Sequence, residues 1–344
     1  MTVLTEEQLR NMPFIFQKCM LDSPRVRYAE LGRKAGISRK TAKDHLISLM
    51  GGKILYPPQM RAKICSQVAE FVYLLKVNDI EAFIPVLEAE KYVFYYCLCT
   101  GPYNLIFMSY KPLDLSHLEG YQQTVASGIR SNYCVPPVSN QSYQSTYQKI
   151  LERCNRKIDP SMFDMKFEDF KWTKELWDLY CDLKYDLRID FTPLVKKYEF
   201  KFSTFYERIN QLMMYCDIYV PLYPLEEPKY TFFYFLIKTK YQEFVVESFG
   251  ELPVFSTHIR VKDSILSYVP LPHGGERDFF RNIIPFWQRR GIIDSYDLSI
   301  AYWSDRIHNH PGMPPPPPPP PPPSGIIPPE RGDSSTGKEY VSFM

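Results

Sequence analysis

Residues 25–61 read RVRYAELGRKAGISRKTAKDHLISLMGGKILYPPQMR, and they decide the fold of the first part of the chain. Ala29 to Ala35 predicts a short helix with Leu31 and Ala35 on one side. Gly36 supplies the left-handed residue that a sharp turn between two helices needs. Ser38 can cap the next helix, because its hydroxyl can accept from an amide one turn in. Ala42, Leu46, Leu49 and Met50 recur at helical spacing and should face inward. Lys40, Thr41, Asp44 and Ser48 then point outward, flanked by Arg39 and Lys43. Gly51-Gly52 ends the helix, and Lys53 to Tyr56 with Pro57-Pro58 suits a small wing. The pattern is that of a winged helix-turn-helix.

Charge follows the same pattern. Between Arg25 and Lys63 there are ten Lys and Arg against two acids, in a chain whose net charge is only +2. A cationic cluster within a balanced protein is what phosphate neutralisation requires. The expected DNA-binding residues are Arg25, Arg27, Ser38, Arg39, Lys40, Thr41, Lys43, Lys53 and Arg61. Ser38 to Ser48 would enter a major groove. Arg39, Lys40 and Lys43 would contact phosphates or base edges, and Thr41 a thymine methyl. Asp44 has two readings, an acceptor for a cytosine amine or an i,i+4 partner of Lys40.

At 344 residues and 45% hydrophobic content, the chain can bury two or more cores. No run of 18 apolar residues occurs, and Met1 to Met20 lacks a signal-peptide pattern, so a soluble cytoplasmic protein with no membrane partner is expected. The eight cysteines are scattered. Cys97-x-Cys99 would share one strand face, as reduced buried thiols rather than metal ligands. No phosphate-cradling glycine loop, zinc spacing or nucleophile elbow is present.

Thr5-Glu6-Glu7-Gln8 is a capping-box pattern, so a first helix should run toward Met20, disturbed by Pro13. After Lys63 the texture changes. Phe71 to Val77 predicts a strand, Asp79 to Glu90 a helix, and Tyr92 to Thr100 and Asn104 to Tyr110 two more strands. His117 to Ile129 predicts a weaker helix and Asn132 to Val135 a last short strand. The order β-α-β-β-α-β is ferredoxin-like. A linker follows, with a connecting helix around Tyr143 to Cys154.

The pattern then returns. Leu46, Leu49, Met50 and Tyr56 correspond to Ile209, Leu212, Met213 and Tyr219, each 163 residues on. VYLLK at Val72 matches YFLIK at Tyr234, and Gly128-Ile129 and Tyr133 match Gly291-Ile292 and Tyr296. Near-constant offsets argue for internal duplication. The expected organisation is an α+β tandem: winged helix 1–63, ferredoxin-like domain 64–137, linker helix 138–170, second winged helix 171–225, second ferredoxin-like domain 226–303 and polyproline tail 304–344. The copies differ in charge. Arg39, Lys40, Lys43 and Asp44 become Phe202, Ser203, Tyr206 and Glu207, so the second winged helix reads as a scaffold or protein-contact copy. Pro314 to Pro323 are ten consecutive prolines, a polyproline II rod serving as an extension or a partner ligand.

A winged helix followed by βαββαβ resembles the Lrp/AsnC family of feast/famine transcription regulators. Two segments carry the resemblance: ELGRKAGISRKTAKDHL, and CTGPYNLIFMSY from Cys99 to Tyr110, similar to the family's Thr-Gly-x-Tyr-Asp/Asn-Leu turn. The resemblance covers roughly Thr5 to Val135, and more weakly Trp172 to Ser299. It implies a sequence-specific regulator of double-stranded DNA that dimerises through its sheet domain, here as an intramolecular pseudo-dimer, with homodimers or higher oligomers open. It also implies an amino-acid-like effector beside Thr100, Gly101, Tyr103 and Asn104, although a plain β-turn explains those residues equally well. The second copy reads RVKDSIL there and lacks Thr-Gly. Siroheme decarboxylases share this architecture, and the resemblance associates their chemistry with a His-Arg stretch in the sheet domain. No such stretch occurs here. His117, His258 and His273 stand apart, and His308-x-His310 lies near the tail. The expectation is therefore no enzyme, no catalytic residue, no cofactor and no metal, with an architectural DNA- or protein-binding component as a further alternative.

Overall fold

The computed structural model describes residues 4–163, 165 and 167–306. The polyproline run and His308-x-His310 lie outside them. Helix α1 (Glu6–Asp22) opens with the expected capping box from Thr5 and Gln8. Helix α2 (Tyr28–Ala35) ends at Gly36, whose φ of 69° makes the turn into α3 (Arg39–Gly51), capped by Ser38. Leu31, Ala42 and Leu46 pack with Phe16 and Met20 in one small core. Val220 and Leu222, from the second copy, complete that core.

The second winged helix repeats the first. Helices α6 (Lys174–Leu183), α7 (Thr192–Lys197) and α8 (Phe202–Tyr215) follow linker helix α5 (Tyr143–Arg153). Glu199 takes the left-handed position of Gly36, at φ 53°. The two units meet through a reciprocal contact. Arg25 Nη1 donates to Leu187 O and Ile189 O at 2.8 and 2.7 Å, and Arg188 Nη1 donates to Pro24 O and Val26 O at 3.0 and 3.2 Å. Arg25 lies over the Phe191 ring at 3.7 Å and Arg188 over Tyr28 at 5.5 Å. Every partner is displaced by the same 163 residues, so the copies face each other about a pseudo-two-fold axis. Strand β1 (Gln59–Ala62) pairs antiparallel with β6 (Cys216–Tyr219), joining the two wings.

The sheet halves follow. The first holds β2 (Phe71–Val77), α4 (Ile80–Ala89), β3 (Val93–Thr100), β4 (Leu105–Ser109) and β5 (Tyr121–Ile129). The second holds β7 (Tyr230–Lys238), α9 (Gln242–Gly250), β8 (Thr257–Val261), β9 (Ser264–Pro272), a helical run and β10 (Ser295–Arg306). That run joins α10 (Glu276–Asp278) and α11 (Ile284–Arg289) through a π-helical turn at Phe279–Ile283. Together the strands form one eight-stranded sheet in the order β5-β2-β4-β3-β10-β7-β9-β8. Each half has the ferredoxin-like strand order in the sheet, although β5 follows β4 in the first half without an intervening helix, and β3–β10 pairing fuses them. The outer edges also meet: Arg130 bridges Val261, and Ser131 N donates to Arg260 O at 2.9 Å. The sheet thus almost closes on itself.

Alternation explains the layers. Val72 and Leu74 point into the enclosed core with Cys97, Ile106, Leu236, Ile259 and Leu266. Phe71, Tyr73 and Leu75 point outward, where Phe83 and Leu87 of α4 cover them. The second winged helix packs against the same enclosed core, with Trp177 edge-on to Tyr110 at 5.0 Å.

Two local expectations are corrected. His117 to Ile129 is not helical: Tyr121–Ile129 forms β5, hydrogen-bonded along β2. Thr124, Val125 and Gly128 are weak helix formers, and the open edge of β2 offers a full ladder of partners. The fourth strand of the first half is therefore β5. Residues 132–135 make only an isolated bridge, from Cys134 to His258. Gly128 and Gly291 are accordingly not equivalent, since Gly128 lies in β5 while Gly291 turns at φ 63° after α11.

Candidate functional site

Helix α3 presents Arg39, Lys40 and Lys43 to solvent, and Arg27 and Lys53 are exposed nearby. None of these five makes an ion pair among the described residues. Asp44 makes no ion pair with Lys40 either. The hydroxyls of Ser38 and Thr41 lie 2.8 Å apart, and Ser38 Oγ accepts from Thr41 N at 3.1 Å, so both serve the cap first. Ile47 is 55% exposed on the same helix. The equivalent helix α8 instead exposes Phe202 at 55% and Tyr206 at 52%.

Two residues expected on the basic face are placed elsewhere. Arg25 is spent on the second winged helix, as described, because the pseudo-symmetric partner supplies two carbonyls and an aromatic face. Burial lowers its pKa, and the neighbouring Arg188 lowers it further. Arg61 lies in β1 and lines a cavity between the wings and the sheet rather than a wing tip.

The Thr100-Gly101 turn is occupied by fold contacts. Gly101 has φ 145°, and a Cβ there would fall 2.6 Å from Leu298 O, so β10 packs directly on its backbone. Tyr103 is buried and donates to Tyr234 O at 2.7 Å. Asn104 brackets Val77, accepting from its N at 2.8 Å and donating to its O at 2.7 Å. Lys76 Nζ donates to Gly101 O at 3.0 Å. Thr100 is exposed, and none of the four residues lines the cavity. The turn clamps one half of the sheet to the other.

The cavity itself has a volume of about 340 Å³ and lies where both sheet halves and both wings converge. Its walls are rich in tyrosine from distant parts of the chain. Tyr95 and Tyr234 share a hydroxyl–hydroxyl hydrogen bond at 3.0 Å, and Tyr223 and Tyr268 one at 3.3 Å. Burial pushes all four phenols well up, so they stay neutral and act as donors. The charged lining residues are Arg61 and Glu227. Glu227 accepts from the Tyr56 hydroxyl. Arg61 makes a single side-chain hydrogen bond, from Nη1 to Met60 O at 3.2 Å, and lies 5.0 Å from the centre of the Tyr185 ring. Burial works against its charge, but the surrounding phenols of Tyr219, Tyr185 and Tyr180 raise its pKa well above the usual value.

Of this lining, sequence reading singled out only Arg61 for a function, and for a different one. The signal it passed over is the tyrosines at inward-facing strand positions such as Tyr95 and Tyr234, which a buried sheet would ordinarily fill with aliphatic residues.

No family model and no curated protein sequence matches the chain. Among solved structures it is similar to the siroheme decarboxylase NirDL, at 12% identity and a TM-score of 0.47, over 86% of this chain and 91% of that one. It is also similar to NirDL in complex with an iron-uroporphyrin III analogue, at 11% identity and a TM-score of 0.44, over 86% and 92%. Both neighbours are described as an enzyme, so the expectation that this chain is not one does not stand. Neither places it among Lrp/AsnC regulators specifically. No helix among the described residues is long and apolar enough to cross a membrane.

Proposed function

We propose that the chain binds double-stranded DNA through its first winged helix and acts as a sequence-reading transcription regulator. One observation carries this reading: Arg39, Lys40 and Lys43 project from one helix into solvent without ion-pair partners among the described residues. An uncompensated cationic helix following a glycine turn and a serine cap is suited to a major groove lined by phosphates. Arg27 and Lys53 would hold the backbone to either side. Helix α8 lacks the charge, so each chain has one competent reader, and a palindromic site would take two chains.

The test is a salt titration of duplex binding. Lys40→Ala with Lys43→Ala should weaken binding roughly tenfold or more and flatten the log–log salt slope by about two, one for each lost phosphate contact. Unchanged affinity at low salt would remove α3 from the interface.

A further inference from the structure

The tyrosine-lined cavity between the two sheet halves is not used by DNA binding. Three features define what it could hold. Its volume of about 340 Å³ is in the range of small-molecule sites and suits a body of two fused rings. Its walls offer aromatic faces, while the Tyr95–Tyr234 and Tyr223–Tyr268 hydroxyls already bond to each other. The acid is also engaged, because Glu227 accepts from Tyr56. Arg61 is different. A guanidinium carries five N–H donors, and this one makes a single side-chain hydrogen bond, to a neighbouring carbonyl, with no carboxylate in ion-pair range among the described residues. A half-buried cation with unspent donors in an aromatic wall is positioned for a planar anion.

We propose that this cavity binds a flat aromatic carboxylate of about two fused rings, its carboxylate held by Arg61 and its rings lying among Tyr95, Tyr234 and Tyr268. The ligand touches both copies, since Arg61 and Tyr95 belong to the first and Tyr234 and Tyr268 to the second. Binding therefore tightens the contact between the sheet halves. The site is separate from the basic face of α3, so its test and the DNA test succeed or fail independently.

The experiment uses the full chain and two probes of one shape, 2-naphthoate and the neutral 2-naphthamide, titrated by calorimetry. The wild type should bind naphthoate roughly tenfold or more tighter than naphthamide. Arg61→Gln should erase that preference, and Arg61→Lys should keep part of it. Ala301→Trp, which fills the cavity from β10, should abolish binding of both probes. Absence of binding at millimolar naphthoate, equal affinity of the two probes for the wild type, or full binding by Ala301→Trp would each overturn the proposal. The wild-type ratio and Ala301→Trp decide the matter even if Arg61→Gln does not fold.

Discussion

His258 shows how a single side chain acquires a property its spacing in the sequence does not reveal. It is fully buried on β8, with Nδ1 2.9 Å from Ser267 Oγ and Nε2 3.1 Å from Ser256 Oγ, and it stacks on Phe249. Burial pushes its pKa down from 6.5 to about 3. The folded state thus holds the ring neutral while the unfolded chain takes up a proton. Its contribution to stability is complete above pH 6.5 and is lost as pH falls from there toward 3, at up to about 1.4 kcal/mol per pH unit. His258→Gln keeps hydrogen-bonding capacity and removes the titration. Unfolding measured at a series of pH values should therefore show the wild type losing stability faster than His258→Gln below pH 6.5, and parallel curves would contradict the assignment. Gly101 is the second such residue. The sequence identified its turn, but β10 lies directly on its backbone, and that contact comes from nearly two hundred residues away.

Among the elements, the helices α1 and α3 and the 163-residue repeat agree with the sequence pattern, whereas residues 117–135 depart from it. Helix α3 forms where a glycine turn, a serine cap and the Ala42–Leu46 inner face agree, all within one short stretch. Residues 117–129 carry weak helical spacing, but β5 forms there because its ladder partner, β2, some fifty residues upstream, offers an unfilled sheet edge that outweighs it. The cavity was not legible at all, because its walls come from two wings and two sheet halves. The basic face was legible in part. Arg39, Lys40 and Lys43 stay free on α3, whereas Arg25 is engaged by the loop between α6 and α7 of the second copy. This difference is measurable: Arg25→Ala should lower stability and leave the salt slope of DNA binding unchanged, whereas Lys40→Ala should reduce that slope by about one. A slope change from Arg25→Ala would return it to the interface.

The molecule as a whole is two copies of one unit closed on each other within a single chain. Its pseudo-symmetry is sharpest where Arg25 and Arg188 exchange carbonyls across the axis. The two guanidiniums also repel, since Arg188 depresses the pKa of Arg25. Each alanine substitution should cost about 1–2 kcal/mol in hydrogen bonds and stacking, and the double substitution should cost more than their sum, because each single substitution already relieves a repulsion that can be relieved only once. Denaturant unfolding of the four proteins checks this, and strict additivity would mean that the two arginines act independently. The two copies differ in charge: α8 carries Phe202, Ser203 and Tyr206 where α3 carries Arg39, Lys40 and Lys43. The proposed reading of DNA sequence by α3 is tested most directly by selection from random duplexes by the full chain at about 150 mM salt. Enrichment of a defined motif, lost with Lys40→Ala and Lys43→Ala, is the predicted result. No enrichment, together with no binding at low salt, would contradict it.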